Sequence, residues 1–141
     1  MAILAGVGNP VGGSNPAGVG TGLNYIGNHA YAQSGPFAKD TNSHVMLEFT
    51  MSGSYFDGFI SFHGTTDAST PANGNINAFT VMFNGSAVML VKTDSSDENS
   101  PHSLNVPLLI PPYTIVQVLG QDYSGGSTGD TTVTMTGRIY A

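Results

Sequence analysis

Two β-rich runs flank an Asn-Gly pair over residues 79–92, Phe-Thr-Val-Met-Phe-Asn-Gly-Ser-Ala-Val-Met-Leu-Val-Lys. This pattern predicts a hairpin. Asn84 and Gly85 are the residue types that accept the two positive φ angles of a type I′ turn, and the twist of that turn matches the strands it joins. A two-residue turn sets the register, so Phe83 is expected opposite Ser86, Val81 opposite Val88 and Phe79 opposite Leu90. Thr80, Met82, Ala87, Met89 and Val91 then fall on the other face. Both faces come out largely apolar, whereas a solvated sheet face carries polar residues. The second face, with Met82, Met89 and Val91, is therefore expected to be covered by another layer, another subunit or a partner.

The rest of the chain alternates in shorter stretches. Residues 1–22 hold many glycines, Pro10 and Pro16 and no charged side chain, so they are not expected to fold alone. Ile3, Leu4, Val7, Val11 and Val19 make this stretch more apolar than an ordinary linker, which fits an arm that orders on a partner, with a flexible tail as the other reading. A first strand is expected over residues 23–32, closed by a Gly35-Pro36 turn. From Val45 the alternation is regular, with Val45, Leu47, Phe49 and Met51 against Met46, Glu48 and Thr50. Residues 55–63 place Phe56, Ile60 and Phe62 on one face and Tyr55, Asp57, Phe59 and His63 on the other. Residues 104–110 form a strand in which Pro107 argues for an edge position or a bulge. Pro111-Pro112 forces a corner or a change of sheet before residues 113–119 run on as a strand. Residues 131–140 close the domain, with Val133, Met135 and Ile139 inward and Thr132, Thr134, Thr136 and Arg138 outward.

The connecting stretches 64–75, 93–103 and 120–130 read as surface loops, no segment shows helical periodicity, and no internal repeat is present. About eight short strands separated by turn-rich loops predict an all-β antiparallel sandwich or barrel, with residues 23–141 as a single domain behind an arm of residues 1–22.

Composition narrows the possible partners. The chain has 141 residues, no cysteine, and only Lys39, Lys92 and Arg138 against nine acidic residues, for a formal charge of −6. Thiolate chemistry and cysteine zinc sites are removed, and a phosphate-binding surface for nucleic acid is not expected. No apolar run is long enough for a membrane helix, and no basic n-region with a compact apolar core opens the chain, so neither a membrane partner nor export through a standard signal is expected.

Candidate chemistry is sparse. The stretch Asp94-Ser-Ser-Asp97-Glu98-Asn99 clusters oxygen ligands suited to calcium, but it lacks EF-hand spacing, and a solvated acidic loop accounts for it better. Glu48 and Asp57 make an acid/base pair only if their strands are neighbours. His29, His44, His63 and His102 are dispersed without metal-ligand spacing, and no Gly-x-Ser-x-Gly motif is present. The run Gly125-Gly-Ser-Thr-Gly129 lacks the lysine of a phosphate-binding loop. Neither an enzyme nor a cofactor is expected.

Three stretches carry a resemblance: Phe83-Asn-Gly85, Leu108-Leu-Ile-Pro-Pro-Tyr-Thr-Ile-Val-Gln-Val118 and Thr134-Met-Thr-Gly-Arg-Ile-Tyr140. Together they resemble small jelly-roll structural proteins of tailed-phage virions, and more distantly the trimeric jelly rolls of the C1q and tumour-necrosis-factor group. The resemblance spans roughly residues 45–141. It implies a jelly roll, often trimeric, that serves as a capsid cement or decoration protein on the virion surface, with itself and the major capsid protein as partners. The other role it implies is the receptor- or glycan-binding head of a fibre, working through the loops at 64–75 and 120–130. Under the first role Ile3, Leu4, Val7 and Val11 of the arm and Met82, Met89 and Val91 of the hairpin are the partner contacts.

The hairpin reading is open to direct test. Gly85→Val forces a β-branched residue into positive φ inside a two-residue turn and should lower stability by about 1–3 kcal/mol in urea unfolding. Gly126→Val, in a long loop, should cost less.

Overall fold

The structure, a computed structural model, describes residues 23–38, 40–64, 75–95, 102–123 and 130–140. Ten strands are present among them: β1 (Asn24–Ile26), β2 (His29–Gln33), β3 (Phe37–Ala38), β4 (His44–Thr50), β5 (Tyr55–Gly64), β6 (Asn75–Phe83), β7 (Ser86–Ser95), β8 (His102–Ile110), β9 (Ile115–Asp122) and β10 (Asp130–Tyr140). All pairing is antiparallel. One sheet has the order β1-β2-β10-β5-β8, with β3 also on β10, and the other has the order β4-β9-β6-β7. Without the short β1 and β3, the remaining eight strands nest as two interleaved four-stranded sheets, which is a jelly roll.

The core lies between the sheets and follows the predicted alternation. Phe56, Ile60 and Phe62 of β5 and Val133, Met135 and Ile139 of β10 point into it from the first sheet. Leu47 and Phe49 of β4, Phe79 and Val81 of β6, and Val116 and Val118 of β9 meet them from the second. The rings of Phe62 and Phe79 lie 4.9 Å apart across the gap.

Three expectations shift in the structure. The stretch over residues 23–32 is a hairpin of two strands, because Gly27, at φ 62°, and Asn28 form a two-residue turn with glycine at its first position. In β4 a register shift between Val45 and Leu47 makes Met46 an extra residue that turns inward and is fully buried, while Val45 is exposed. Met46 fits because Gly120 has no side chain: a Cβ there would stand 2.5 Å from the Met46 sulfur.

The third shift is in the central hairpin. Asn84 and Gly85 have φ of 50° and 81°, as the turn requires, and Phe83 pairs with Ser86. Beyond Met82↔Ala87, however, the register moves by one, so Val81 faces Met89 and Phe79 faces Val91, leaving Val88 as a bulge. An inserted residue exchanges the two faces of the strand beyond it. Met89 and Val91 therefore join Phe79 and Val81 at the core, and Val88 and Leu90 are the exposed residues.

The prolines act as their chemistry dictates. Pro107 sits on β8, an edge strand, where its missing N–H breaks no central ladder. Pro111 and Pro112 carry the chain from β8 in one sheet to β9 in the other. On the opposite side of the first sheet, Ser34 bridges the gap between β2 and β3. Its N–H donates to the Val133 carbonyl at 2.9 Å, its Oγ accepts from the Val133 N–H at 2.9 Å, and its hydroxyl donates to the Gly35 carbonyl at 2.7 Å.

Within the first sheet the closest approach is between β5 and β10. Gly58 lies directly opposite Gly137. A Cβ on Gly58 would stand 2.5 Å from the Gly137 Cα, a Cβ on Gly137 would stand 2.7 Å from the Gly58 Cα, and both would meet the tip of the buried Phe56 ring at 2.7 Å. Backbone atoms surround both positions, so added volume cannot be relieved by rotating a side chain. Gly58→Ala and Gly137→Ala should each cost about 3 kcal/mol in chemical denaturation. Gly85→Ala, which meets nothing within 4 Å, should lose only the positive-φ preference.

Candidate interaction surfaces

The two ends of the sandwich are built differently. At one end the connections are short: the Asn84-Gly85 turn, residues 51–54 between β4 and β5, and the proline corner of residues 111–114 between β8 and β9. They are tied to one another by backbone bonds. The Tyr113 N–H donates to the Ser52 carbonyl at 2.9 Å, the Met51 N–H to the Thr114 carbonyl at 2.9 Å, and the Asn84 N–H to the Ile115 carbonyl at 2.8 Å. The Ile115 N–H returns a bond to the Asn84 side-chain oxygen at 2.9 Å.

This corner end displays aromatic and apolar side chains. Tyr113 is 76% exposed and adopts φ 57°, in the left-handed region that bulky residues rarely enter. Holding it there costs on the order of 1–3 kcal/mol, which the bonds to Ser52 and Met51 sustain. Gly53 leaves room for its ring, since a Cβ there would stand 2.9 Å from the tyrosine hydroxyl. Tyr55, opening β5, and Tyr140, closing β10, are cross-strand partners whose rings stack at 5.2 Å. Leu109 and Ile115 stand exposed on either side of the corner.

At the opposite end, strands β5 to β10 run into the longer connections 65–74, 96–101 and 124–129. Polar side chains enter the interior here. Asn77 and Asp122 are cross-strand partners and both are buried. Among the described residues, the Asn77 side-chain oxygen and His44 Nε2 are buried atoms without a hydrogen-bond partner. The His44 ring stacks on Phe37 at 4.9 Å. The Asp40 carbonyl accepts the Asp122 N–H at 2.8 Å, and the Asp40 carboxylate accepts the Asn42 N–H at 2.9 Å.

The outer sheet faces mix polar and apolar residues. On the first sheet Phe59 is half exposed between Thr136 and Pro107, and the Ser61 hydroxyl donates to the Asn105 side-chain oxygen at 2.9 Å. On the second, the Gln117 amide donates to Glu48 at 2.8 Å beside Met82, with Val88 and Leu90 exposed at the far strand. Lys92 lies 5.2 Å from the centre of the Tyr123 ring.

The residues singled out from sequence are distributed as follows. Ile3, Leu4, Val7 and Val11 lie outside the described residues. Of the hairpin set, Met82 is half-buried on the outer face, Val91 is buried, and Met89 packs against the core. The bulge at Val88 thus removes Met89 and Val91 from any outer apolar face. Glu48 and Asp57 stand on different sheets, so they form no acid/base pair. Asp97, Glu98 and Asn99 lie outside the described residues. Among the described residues, no group of three or more histidine or acidic side chains could hold a metal ion. The expected loop over residues 120–130 is shorter than its sequence suggested, because β9 continues to the buried Asp122. The corner tyrosines were missed as a group. Tyr55, Tyr113 and Tyr140 come from three separate stretches, and only the β5–β10 register and the proline corner bring them to one end.

No family model matches the chain, and no curated protein does. Among solved structures, the VP2 subviral particle of infectious bursal disease virus is similar with a TM-score of 0.48 and 10% identity, covering 82% of this chain and 34% of that one. Dimeric latent PorU of Porphyromonas gingivalis follows with a TM-score of 0.44 and 10% identity, covering 76% of this chain and 11% of that one. A family 35 carbohydrate-binding module from an environmental isolate has a TM-score of 0.34 and 14% identity, covering 91% of this chain and 79% of that one. Similarity at this level assigns neither a family nor an activity.

The turn at Asp40 gives a pH prediction. The Asn42 N–H, seconded by the Asn42 amide and the nearby His44, holds the Asp40 carboxyl below the usual aspartate value. A depressed folded-state value means that the turn's contribution is present above the unfolded value and fades as pH falls through the folded one. In an NMR titration Asp40 should titrate below an ordinary aspartate, and Asn42→Ala should move it back up, although the backbone N–H remains to keep part of the shift.

Proposed function

We propose that the protein is a non-enzymatic structural component of a virus particle, a decoration or cement protein that sits on the capsid surface and bridges subunits of the major capsid protein. The observation that carries this reading is the amount of apolar surface on a jelly roll with few charges. Phe59 and Leu109 on one sheet, Val88, Leu90 and Ile115 on the other, and Tyr113 at the corner are all exposed. Phe59, its cross-strand partner Pro107 and Leu109 two positions further along β8 adjoin on one outer face, and adjoining exposed apolar residues mark interaction sites. The resemblance of the hairpin, the proline corner and the closing strand to virion jelly rolls supports the same role. A clamp of this kind adds buried area between shell subunits and so raises the free energy needed to separate them. Self-association into a trimer is part of the proposal, because two outer faces carrying apolar residues supply more contact surface than a single shell partner covers.

A second reading is a receptor- or glycan-binding head of a virion fibre. It is favoured by the end of the sandwich opposite the corner, where Asn77 and Asp122 are buried cross-strand partners and three of the longer connections of the sequence begin. Loops on a rigid scaffold are where recognition is commonly placed. Nucleic acid is left out of both readings. The formal charge of −6 opposes a polyanion, and among the described residues no helix is long and apolar enough to cross a bilayer.

Deleting residues 1–22 separates the two. A cement protein uses its uncharged arm for attachment, with apolar area to bury at about 25 cal/mol per Å² before the cost of ordering. The truncated protein should keep its melting temperature and bind poorly to shells assembled without it. Full occupancy by the truncated form would remove the arm from the mechanism. Light scattering checks the trimer, and a monomer at high concentration would exclude it.

A further inference from the structure

The corner end has the properties of a built docking tip, and we infer that it meets the shell alongside the arm, seating Tyr113 in an uncharged, apolar depression of the partner. This inference rests on the decoration reading above. Four observations carry it. The first is rigidity: the Asn84-Gly85 turn, the 51–54 connection and the proline corner are bonded to one another, so the end is one preorganised unit. Preorganised aromatic side chains lose little freedom on binding and dominate interface energetics.

The second is the strain at Tyr113. Glycine or asparagine would occupy φ 57° with less cost, yet a tyrosine stands there with 76% of its surface exposed. Burial within this fold therefore does not account for the ring, and strain of this kind gathers at functional positions.

The third is that the turns forming the tip carry no charge, the nearest charged residues being the cross-strand pair Asp57 and Arg138 beside Leu109. Residues 107–121 contain no charged side chain, nor do residues 51–55 or 83–86. A charged partner surface would be desolvated against these turns without compensation, whereas an uncharged apolar one would not. The proposed trimer is built on the outer sheet faces, which leaves the tip to a different partner.

The fourth is that three polar side chains of the corner are turned inward or bonded within it. The Asn84 side-chain oxygen accepts from Ile115, the Thr114 hydroxyl reaches the Pro112 carbonyl at 3.4 Å, and Ser54 is buried. A sugar needs several directed hydrogen bonds, and the exposed tyrosines offer aromatic faces and phenol hydroxyls instead. An apolar protein surface is the better fit.

The test compares full-length protein and variants for binding to shells assembled without it, with melting temperatures measured alongside. Tyr113→Gly should leave the melting temperature equal or higher while weakening binding about tenfold or more. Leu109→Glu should weaken binding by a similar factor, and Gln33→Glu, at the other end of β2, should bind as the parent does. If Tyr113→Gly and Leu109→Glu bind like the parent, the tip is not the docking surface and the decoration reading stands on other surfaces. If the parent itself does not bind shells, both fall. Two further outcomes would overturn the assigned occupant. One is an oligomer of the free protein that Tyr113→Gly dissolves in sedimentation, which would make it a second copy. The other is a shift of the corner tyrosine resonances by millimolar chitotetraose or lactose, which would make it a sugar.

Discussion

The fold depends on a place where side chains are missing. Gly58 and Gly137 face each other across β5 and β10, and the Phe56 ring lies over both. Glycine inside a strand ordinarily weakens it through backbone entropy and lost packing. Here the ring supplies the cover that two Cβ atoms would have given, and the contact exists only in this register. β10 pairs with β5 along one edge and with β2 and β3 along the other. A slip of one residue would turn Val133, Met135 and Ile139 outward and remove them from the core. The glycine pair thus marks the register on which most of the first sheet relies.

Much of this architecture was legible in the residues because the signals were local. Asn84-Gly85 names its turn, Pro107 its edge strand and Pro111-Pro112 its change of sheet, and the alternation of β5 and β10 fixes their inward faces. What escaped was decided at a distance. Nothing around Met46 shows that it bulges inward, because the space it enters is left by Gly120 on another strand. The bulge at Val88 has no local mark either, and it moved Met89 and Val91 from an expected partner surface into the core. The hairpin at Gly27-Asn28 did carry a readable turn signal within what looked like one strand.

The candidate surface was less legible than the fold. Exposed tyrosines are recognisable one at a time, but the Tyr55–Tyr140 stack is a product of register, and the conformation of Tyr113 is a product of the corner's bonds to Ser52 and Met51. Sequence pattern located the apolar material without saying which of it faces outward. The two ends of the sandwich divide the chemistry accordingly. One is short-looped and aromatic, with turns that carry no charge, and the other draws polar groups into the interior.

The strand order β2, β10, β5, β8 also imposes an order in time. The β6–β7 hairpin and the pairing of β5 with β8 can form while the chain is still being made, but β2 shares no edge with β5 and must wait for β10 to join them. Until that strand leaves the ribosome, β5 presents an open edge on which Phe59 and Tyr55 are carried, a template for pairing with other nascent chains. Pairings of such long sequence separation also form slowly once every strand is present. Production of this protein is therefore most exposed to aggregation in the interval before β10 closes the sheet, and slower synthesis through the preceding residues would lengthen that interval rather than relieve it.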